Sequence, residues 1–432
     1  MKVEPVADEA RETAAPDAGG TWTRRVPFLG LLAAAFISAM GSNFTAVAIP
    51  WFVLVTTGSA AKTGVTLAFY TLPIVITGIF GGALVDRLGF VRTSILSDLG
   101  GAVTMALIPL LYHTVGLAFW ELLLLVFVRS MLVNPGGTAR MSLVADLAEQ
   151  AGTTLERANS LTSGAQRLAL LLGPPAAGLL IAFMGVSNVL WLDAASFMLS
   201  AMIFAAAIVG RVTPRSQPST RQSYLRETLD GFRFLRRDRL LLWLVLTVAL
   251  SSLISEPFYI IILPVYAKEI YGRAVDLGLM FSALGAGSLL GLLGYALFGQ
   301  RLPRRGLVIA GFVIRSLTFF VPLWSPGLPV LLGSIVLNAT FFEPLNPLLM
   351  VIVQERTPAQ MRGRVFGTIG ALANSTLPLG TLLGGALIGG VGLMGALAVL
   401  AGATLAQSLS LPLIPALRSL APPVKPVGAD VE

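Results

Sequence analysis

The stretch Gly82-Ala-Leu-Val-Asp86-Arg87-Leu-Gly89-Phe-Val-Arg92 lies between two apolar segments. An apolar run ends in an acid and a base, a glycine then lets the backbone reverse, and a second base opens the next apolar run. This order is typical of a short cytoplasmic connection between two membrane helices, because Lys and Arg concentrate on that side. The interpretation requires that the rest of the chain also crosses a membrane.

The composition favours repeated membrane crossing. Of the 432 residues, 55% are hydrophobic and only 12% are charged, with a mean hydropathy of +0.81. Soluble proteins carry about 25% charged residues. Cys is absent and His113 is the single His, which excludes disulfides, thiolate metal sites and a Ser-His relay. We therefore expect no catalytic residue, no metal site and no cofactor.

Apolar runs of about 18 to 28 residues recur from Phe28 onward. Each is long enough to cross a hydrocarbon core of ~30 Å at ~1.5 Å per residue. There are twelve, at residues 28–55, 63–84, 93–113, 117–139, 160–184, 188–209, 241–267, 277–298, 306–324, 329–352, 366–389 and 393–417. The sequence therefore predicts an all-α membrane protein with twelve transmembrane helices.

A charged stretch at 211–239 divides these spans into two groups of six. The predicted organisation is a disordered cytoplasmic tail (1–26), a first half (27–210), a cytoplasmic linker (211–240), a second half (241–418) and a second cytoplasmic tail (419–432). Within the linker, Leu225, Leu229, Phe232 and Leu235 share one helical face. This pattern predicts an amphipathic helix along the membrane surface.

The basic residues indicate the orientation. Lys62, Lys268 and Arg273 fall in predicted outside loops, three Arg fall within spans, and the other 24 of the 30 bases fall on the side of the N-terminus. This asymmetry predicts that both termini are cytoplasmic. The net charge of +8 is then a topology signal and implies no nucleic-acid partner.

With twelve spans predicted, the opening stretch resembles the loop signature of the major facilitator superfamily, Gly-x-x-x-Asp-Arg-x-Gly-x-[Arg/Lys]-[Arg/Lys], with Val91 in place of one closing base. The equivalent stretch of the second half, 299–305, keeps its bases but lacks the acid. The resemblance implies a secondary transporter of two pseudo-symmetric six-helix halves. It also implies a gating role for Gly82, Asp86, Arg87, Gly89 and Arg92.

Two further segments resemble the macrolide-efflux and siderophore-exporter branch of this superfamily: Arg129-Ser-Met-Leu-Val-Asn134-Pro135 and Gln354-Glu355-Arg-Thr-Pro358. The resemblance implies a monomeric exporter in the cell membrane that moves amphiphilic small molecules, such as drugs or macrolides, in exchange for protons. No phosphate-binding loop is present, so ATP does not drive the transport. An exporter of a siderophore, lipid or other metabolite, a downhill uniporter and a non-transporting membrane sensor remain alternatives.

The fifth span carries Gly164, Gly173, Pro174 and Gly178, which resemble the antiporter motif of the family. Proline removes a helical hydrogen bond, and the glycines let a neighbouring backbone approach closely. The alternative is a simple packing face, as in Gly287-x-x-x-Gly291.

Charged residues inside the spans are the best indicators of a functional site, because each costs ~2.5–3.5 kcal/mol at a helix centre. Glu121 and Asp193 lie toward the outside and are predicted to be interfacial. The candidates for proton coupling are Glu343, Glu256, Asp98, Arg129 and Arg315.

Glu343 precedes Pro344, which predicts a helix broken near the membrane midplane with an acid at the break. An unpaired carboxylate is costly in so apolar a setting, so Glu343 is expected to exchange a proton, facing Arg129 across a central cavity. The alternative is a permanent Glu343–Arg315 pair. Asp98 has an alternative role in a cytoplasmic gate with Asp86 and Arg140.

Overall fold

The computed structural model describes residues 18–210, 224–358 and 361–414. Within them the chain forms fourteen α-helices and no β-strand. The helices are α1 (Ala18–Thr57), α2 (Ala60–Leu88), α3 (Phe90–Thr114), α4 (Phe119–Gln150), α5 (Leu155–Met184), α6 (Val186–Ile208), α7 (Tyr224–Arg237), α8 (Arg239–Pro257), α9 (Leu263–Tyr266), α10 (Ala274–Phe298), α11 (Arg304–Phe320), α12 (Leu328–Phe342), α13 (Leu345–Arg356) and α14 (Arg362–Ser410). Most of the predicted N-terminal tail, the start of the linker and the C-terminal tail lie outside the described residues.

Eleven segments of the described chain are long and apolar enough to cross a membrane. The first ten coincide with the first ten predicted spans, although α1 and α4 extend well beyond the predicted ends. The eleventh, Arg362–Leu413, covers both remaining predicted spans. The prediction of an all-helical membrane protein is therefore confirmed.

Helix α14 contains a break at Gly392. Its 49 residues correspond to about 74 Å of helix, more than twice the ~30 Å of a hydrocarbon core. Gly392 has φ 74° and ψ 174°, which is not helical. Gly89 (φ 80°, ψ 150°) and Gly185 (φ 81°, ψ 157°) adopt nearly the same conformation as the single residues between α2 and α3 and between α5 and α6. Because positive φ favours glycine, such a residue can end one helix and begin the next without a loop.

The helices pack in two groups. Among the first six, α1 packs against α5 and α6, α3 packs against α4 and α6, and α2 packs against α4. Among the later helices, α10 packs against α12, and α14 packs against α8 and α11. The main connections between the groups are α2 with α14 and α5 with α10. These two pairs therefore set how one group sits on the other.

Helices α5 and α10 meet through glycine. A Cβ atom added to Gly278 would lie 2.6 Å from the carbonyl oxygen of Pro174, and one added to Gly178 would lie 2.7 Å from the carbonyl oxygen of Ala274. The neighbouring atoms belong to backbone, which cannot move aside as a side chain could. Only glycine therefore permits this approach.

Helices α2 and α14 meet in the same way. A Cβ atom on Gly64 would lie 2.8 Å from the Cα atom of Gly385. Nearby, the Nζ atom of Lys268 donates a hydrogen bond to the carbonyl oxygen of Leu54 near the end of α1. All of these contacts lie toward the helix ends that the basic residues predict to be outside.

Helix α7 contacts α14 near its C-terminal end. Leu235 is buried with Val365 and Ile369 of α14, and the carboxylate of Asp230 lies 3.4 Å from Nη1 of Arg364. The linker was predicted to place this helix along the membrane surface. In the structure Leu235 of this face packs against α14, while Phe232 is exposed, so the location along the membrane surface stays a prediction.

The helix start after the linker is fixed by Asp238. Its carboxylate accepts hydrogen bonds from the backbone N–H groups of Leu240 (2.9 Å) and Leu241 (3.2 Å) and from Arg356 of α13 (3.0 Å). Partial burial raises the pKa of Asp238, but these hydrogen bonds outweigh it and hold the pKa below its usual value. The N-terminus of α8 is therefore tied to α13.

Two acids of the second group, Glu256 and Glu343, stand at irregular backbone inside the membrane spans. Glu343 and Pro344 separate α12 from α13, as predicted from the sequence. Glu256 and Pro257 end α8, and a π-helical turn, Phe258–Ile262, follows directly. Proline leaves a carbonyl group without its helical donor, and π-helical turns recur at functional sites.

Candidate functional site

A cavity of about 300 Å³ lies among α8, α11 and the break between α12 and α13. Two carboxylates line it, those of Glu256 and Glu343, together with the guanidinium group of Arg315. Other lining residues are Ser251, Ser255, Tyr259, Phe312, Phe342 and Asn346. Three of the five predicted proton-coupling candidates thus meet at one cavity, which we call the acidic cavity.

Arg315 is held by aromatic rings. Its guanidinium carbon lies 3.8 Å from the centre of the Phe342 ring and 5.4 Å from that of Phe319. A cation is attracted to the negative face of such a ring. Its charge also acts on Glu256 and Glu343, but no carboxylate oxygen of the described residues lies within 4.0 Å of it. The alternative of a permanent Glu343–Arg315 ion pair is therefore not formed in this structure.

A chain of hydrogen bonds fixes one wall of the acidic cavity. The hydroxyl of Tyr259 donates to Oδ1 of Asn338 (2.8 Å), and Nδ2 of Asn338 donates to Oγ1 of Thr318 (2.7 Å). Ser251 and Ser255 on the facing helix are buried, and their hydroxyl groups have no hydrogen-bond partner among the residues described. Buried hydroxyl groups usually form a hydrogen bond, so these two indicate space for a polar guest.

A second cavity, of about 210 Å³, lies within the first group of helices. Asp98 lines it and is paired with Arg140, while Ser200 and Ser38 donate hydrogen bonds to its two oxygens at 2.6 Å and 3.3 Å. We call this the polar cavity. Its one lining carboxylate is neutralised by a permanent cation, which fits the gate alternative for Asp98 better than proton exchange.

Arg129 lies away from both cavities. It is 2% exposed, and its Nη2 atom lies 3.9 Å from the carboxylate of Asp193, which is fully buried. Nη2 also donates to Thr45 (3.1 Å) and Nη1 to Tyr70 (3.4 Å), while the ring of Phe197 lies 5.1 Å from the guanidinium carbon. The expectation that Arg129 faces Glu343 across the cavity is therefore wrong here.

Asp193 was predicted to be interfacial, but its side chain is fully buried among the helices of the first group. Depth along a span says nothing about which face a residue occupies. Asp193 shares the buried face of α6 with Phe197, Ser200 and Phe204, and that spacing was the signal that could have identified it. Glu121, in contrast, caps its own helix, accepting from the backbone N–H of Ala118 at 2.8 Å.

Replacing Asp193 by Asn is expected to lower the stability of the protein. The substitution leaves the Arg129 charge buried without its carboxylate, a change that costs ~3–5 kcal/mol for typical buried pairs. Thermal unfolding in detergent measures the loss. Glu121→Gln is the matched control, because its carboxylate only caps a helix end, and equal melting temperatures for the two variants would contradict the prediction.

The opening motif forms the connection between α2 and α3. Gly89 carries the positive φ at the reversal, and its N–H donates to the carbonyl oxygen of Val85 at 2.8 Å. Arg87 and Arg92 are exposed. The side chain of Asp86 and the surroundings of Gly82 are not described by the structure. The gating role of the motif therefore stays a prediction.

The motif of the fifth span divides into two parts. Pro174 and Gly178 contact α10, and a Cβ atom on Gly173 would lie 2.5 Å from that of Asn43 in α1. Gly164 meets no atom of the described residues within 4 Å. Three of the four residues therefore serve close packing, which is the alternative interpretation. Gly164 faces open space instead.

In the described part of the chain no group of three or more His, Cys, Asp or Glu side chains could hold a metal ion. The acidic cavity holds two acids beside an arginine, a combination suited to binding charged groups or protons.

The profile of the Major Facilitator Superfamily matches residues 31–299 and 258–430. The chain is 31% identical over 377 residues to the "Multidrug efflux pump Tap" of Mycolicibacterium fortuitum, covering 86% of this chain and 92% of that protein. It is 22% identical to "Macrolide efflux protein A" of Streptococcus pyogenes, covering 83% and 88%.

Among solved structures, the nucleoside transporter NupG superposes with a TM-score of 0.72 at 15% identity, covering 90% of this chain and 98% of that one. At this identity the likeness concerns the fold alone. The family profile and the relatives confirm the resemblance predicted from residues 82–92. The chain belongs to the Major Facilitator Superfamily of membrane transporters.

Proposed function

We propose that this protein is a secondary active transporter that exports amphiphilic small molecules, such as drugs or macrolides, in exchange for protons. The observation that carries the proposal is the acidic cavity, in which Glu256 and Glu343 are half-buried and form no ion pair within 4.0 Å. Carboxylates of this kind are rare inside a membrane and mark pathways of ions or protons. The efflux pumps among the relatives support the direction of transport.

The proposed architecture has twelve crossings in two six-helix halves, 27–210 and 241–418. The helix break at Gly392 supports it, because dividing the eleventh span there yields the twelfth crossing. The excess of Lys and Arg on the side of the N-terminus supports a cytoplasmic location of both termini in the cell membrane. We propose that the monomer is the transporting unit.

Alternating access is the proposed mechanism. The α5–α10 and α2–α14 contacts close the outer end, while glycines toward the other end, such as Gly164 and Gly370, face open space. This arrangement corresponds to an inward-open state, in which both cavities receive substrate from the cytoplasm. Rocking of the halves would then open the outer end and release the substrate.

Transport into liposomes tests this function. The purified protein is placed in liposomes with an acidic interior, and accumulation of ethidium or erythromycin is followed with and without the pH gradient. Antiport predicts that the compound accumulates inside the liposomes only when the pH gradient drives protons out. Equal rates in both conditions would indicate a downhill uniporter, and no movement of any compound in a drug panel would favour a non-transporting sensor.

Asp86→Asn is expected to bias the protein toward the inward-open state. We propose that, when the cytoplasmic side closes, this carboxylate seats near the N-terminus of the helix from Arg362, whose positive dipole end stabilises it by ~0.3–1 kcal/mol. Losing that contact changes the ratio of the two states by about two- to fivefold. The chain has no Cys, so a single introduced Cys reports labelling from either side, and an unchanged ratio would refute the role.

A further inference from the structure

We propose that the acidic cavity recognises a protonated amine carried on an apolar, partly aromatic body, so that the substrates of this protein are organic cations rather than anions. The inference deepens the proposed function and rests on it, because it names the substrate class for the same cavity. It also separates two possibilities that the family resemblance leaves open, amine-bearing drugs and acidic metal chelators.

The balance of charge favours a cation. Glu256 and Glu343 together oppose the single charge of Arg315, which is drawn onto the Phe342 ring at 3.8 Å instead of binding either carboxylate. When both acids are ionised, the residues that line the cavity carry one excess negative charge and two carboxylates with accepting oxygens, while Arg167 of the first group of helices acts on Glu343 from outside this lining. An ammonium group placed between them supplies the missing charge, whereas an anionic guest would be repelled.

Two orphaned hydroxyls complete the recognition site. Ser251 and Ser255 are each 3% exposed, line the acidic cavity and lack a hydrogen-bond partner among the described residues. A hydroxyl oxygen accepts a hydrogen bond, and an ammonium group has N–H donors to offer. The carboxylates and hydroxyls can thus receive the donors of one amine, which an aprotic guest would leave unsatisfied.

Aromatic rings supply the rest of the site. The Tyr259 hydroxyl already donates its proton to Asn338 at 2.8 Å, so this residue offers a guest its ring and an accepting oxygen. The rings of Phe312 and Phe342 pack edge to face with centroids 5.3 Å apart. Ring faces bind both apolar groups and cations. The cavity is therefore suited to a guest with an amine at one end and an apolar body.

The polar cavity does not offer the same chemistry. Its carboxylate, Asp98, is paired with Arg140 and accepts from Ser38 and Ser200. A cation entering there would have to displace a permanent guanidinium partner. Cation recognition is thus assigned to the acidic cavity.

Equilibrium binding to the purified protein in detergent tests the proposal without a proton gradient. Three fluorescent probes share a dansyl group: dansylcadaverine carries a primary ammonium, its N-acetyl derivative is neutral, and dansyl-aminohexanoic acid is anionic. We expect dansylcadaverine to bind at least tenfold more tightly than either other probe. Equal affinity for the neutral probe, or tighter binding of the anionic probe, would overturn the proposal.

Variants locate the site. Glu256→Gln and Glu343→Gln should each weaken dansylcadaverine at least tenfold and leave the acetylated probe unchanged, and Ser251→Ala should weaken it severalfold. Glu269→Gln, at an exposed position predicted to be outside, is the matched control. Glu343→Asp keeps the charge and should keep binding, which separates loss of charge from misfolding. Undiminished binding by both Gln variants would place the cation elsewhere and refute the site.

The outcome is separable from that of the proposed function. Charge-selective binding together with transport that ignores a pH gradient would retain the recognition site and reject proton coupling. Gradient-driven transport of erythromycin together with equal binding of the charged and neutral probes would retain the function and reject the recognition site.

Discussion

Glu343→Gln is expected to abolish uphill transport driven by a pH gradient. The amide keeps the size of the side chain but cannot bind and release a proton. Glu343 stands at the break between α12 and α13, in contact with the acidic cavity and under the influence of the charges of Arg315 and, from the first group of helices, Arg167. An unpaired carboxylate in low dielectric is costly, so protonation and binding of a cation are alternative ways to stabilise it. Replacing the carboxylate therefore removes the competition between the proton and the cation.

The measurement compares liposomes that carry the wild-type protein with liposomes that carry Glu343→Gln, at a saturating concentration of substrate. Saturation matters because the amide is also expected to weaken substrate binding. Glu269→Gln, outside the cavity, is the control and should transport normally. Direct measurement of proton release on adding substrate in detergent should give a signal for the wild type and none for the Gln variant. Uphill accumulation by Glu343→Gln would make this residue structural and move the proton carrier to Glu256 or Asp98.

The sequence predicted the spans well because their physical requirement is local. A hydrocarbon core needs about 20 apolar residues in succession, and this length can be counted without knowing what surrounds the helix. The helix break at Glu343 and Pro344 was predictable for the same reason, since proline acts on its own helix. Gly89 likewise marks its reversal locally, through a positive φ that other residues resist.

The partners of the charged residues were not predictable in this way. Arg129 and Asp193 are 64 positions apart in the chain, and their meeting depends on how α4 and α6 are rotated. Apolar residues cover all faces of a membrane helix, so hydropathy gives little indication of rotation. Small polar residues give more: Ser200 of α6 shares the buried face with Asp193, and the orphaned serines of α8 lie on the face lining the acidic cavity.

Gly278→Val is expected to prevent closure of the outer end and to stop transport. The first carbon of the new side chain would lie 2.6 Å from the carbonyl oxygen of Pro174 and 3.1 Å from the Cα atom of Pro175. Both belong to backbone, so α5 and α10 must separate. Overpacking typically costs ~1–3 kcal/mol, which corresponds to about a 5- to 150-fold change in the ratio of two states. The contact lies between the two groups of helices, so each group should still fold.

Labelling measures this shift directly in a chain without native Cys. A Cys introduced at Ser255 in the acidic cavity should react with an impermeant reagent from the outside in the Gly278→Val background, and little in the parent. Gly294→Val is the matched control on the same helix, because nothing of the described residues lies within 4 Å of a Cβ atom there. Labelling from the outside should increase in Gly278→Val and not in Gly294→Val, because only Gly278 holds two backbones together. Equal labelling in both backgrounds would mean that the α5–α10 approach is not what closes the outer end, and the α2–α14 contact at Gly64 and Gly385 would then have to close it alone.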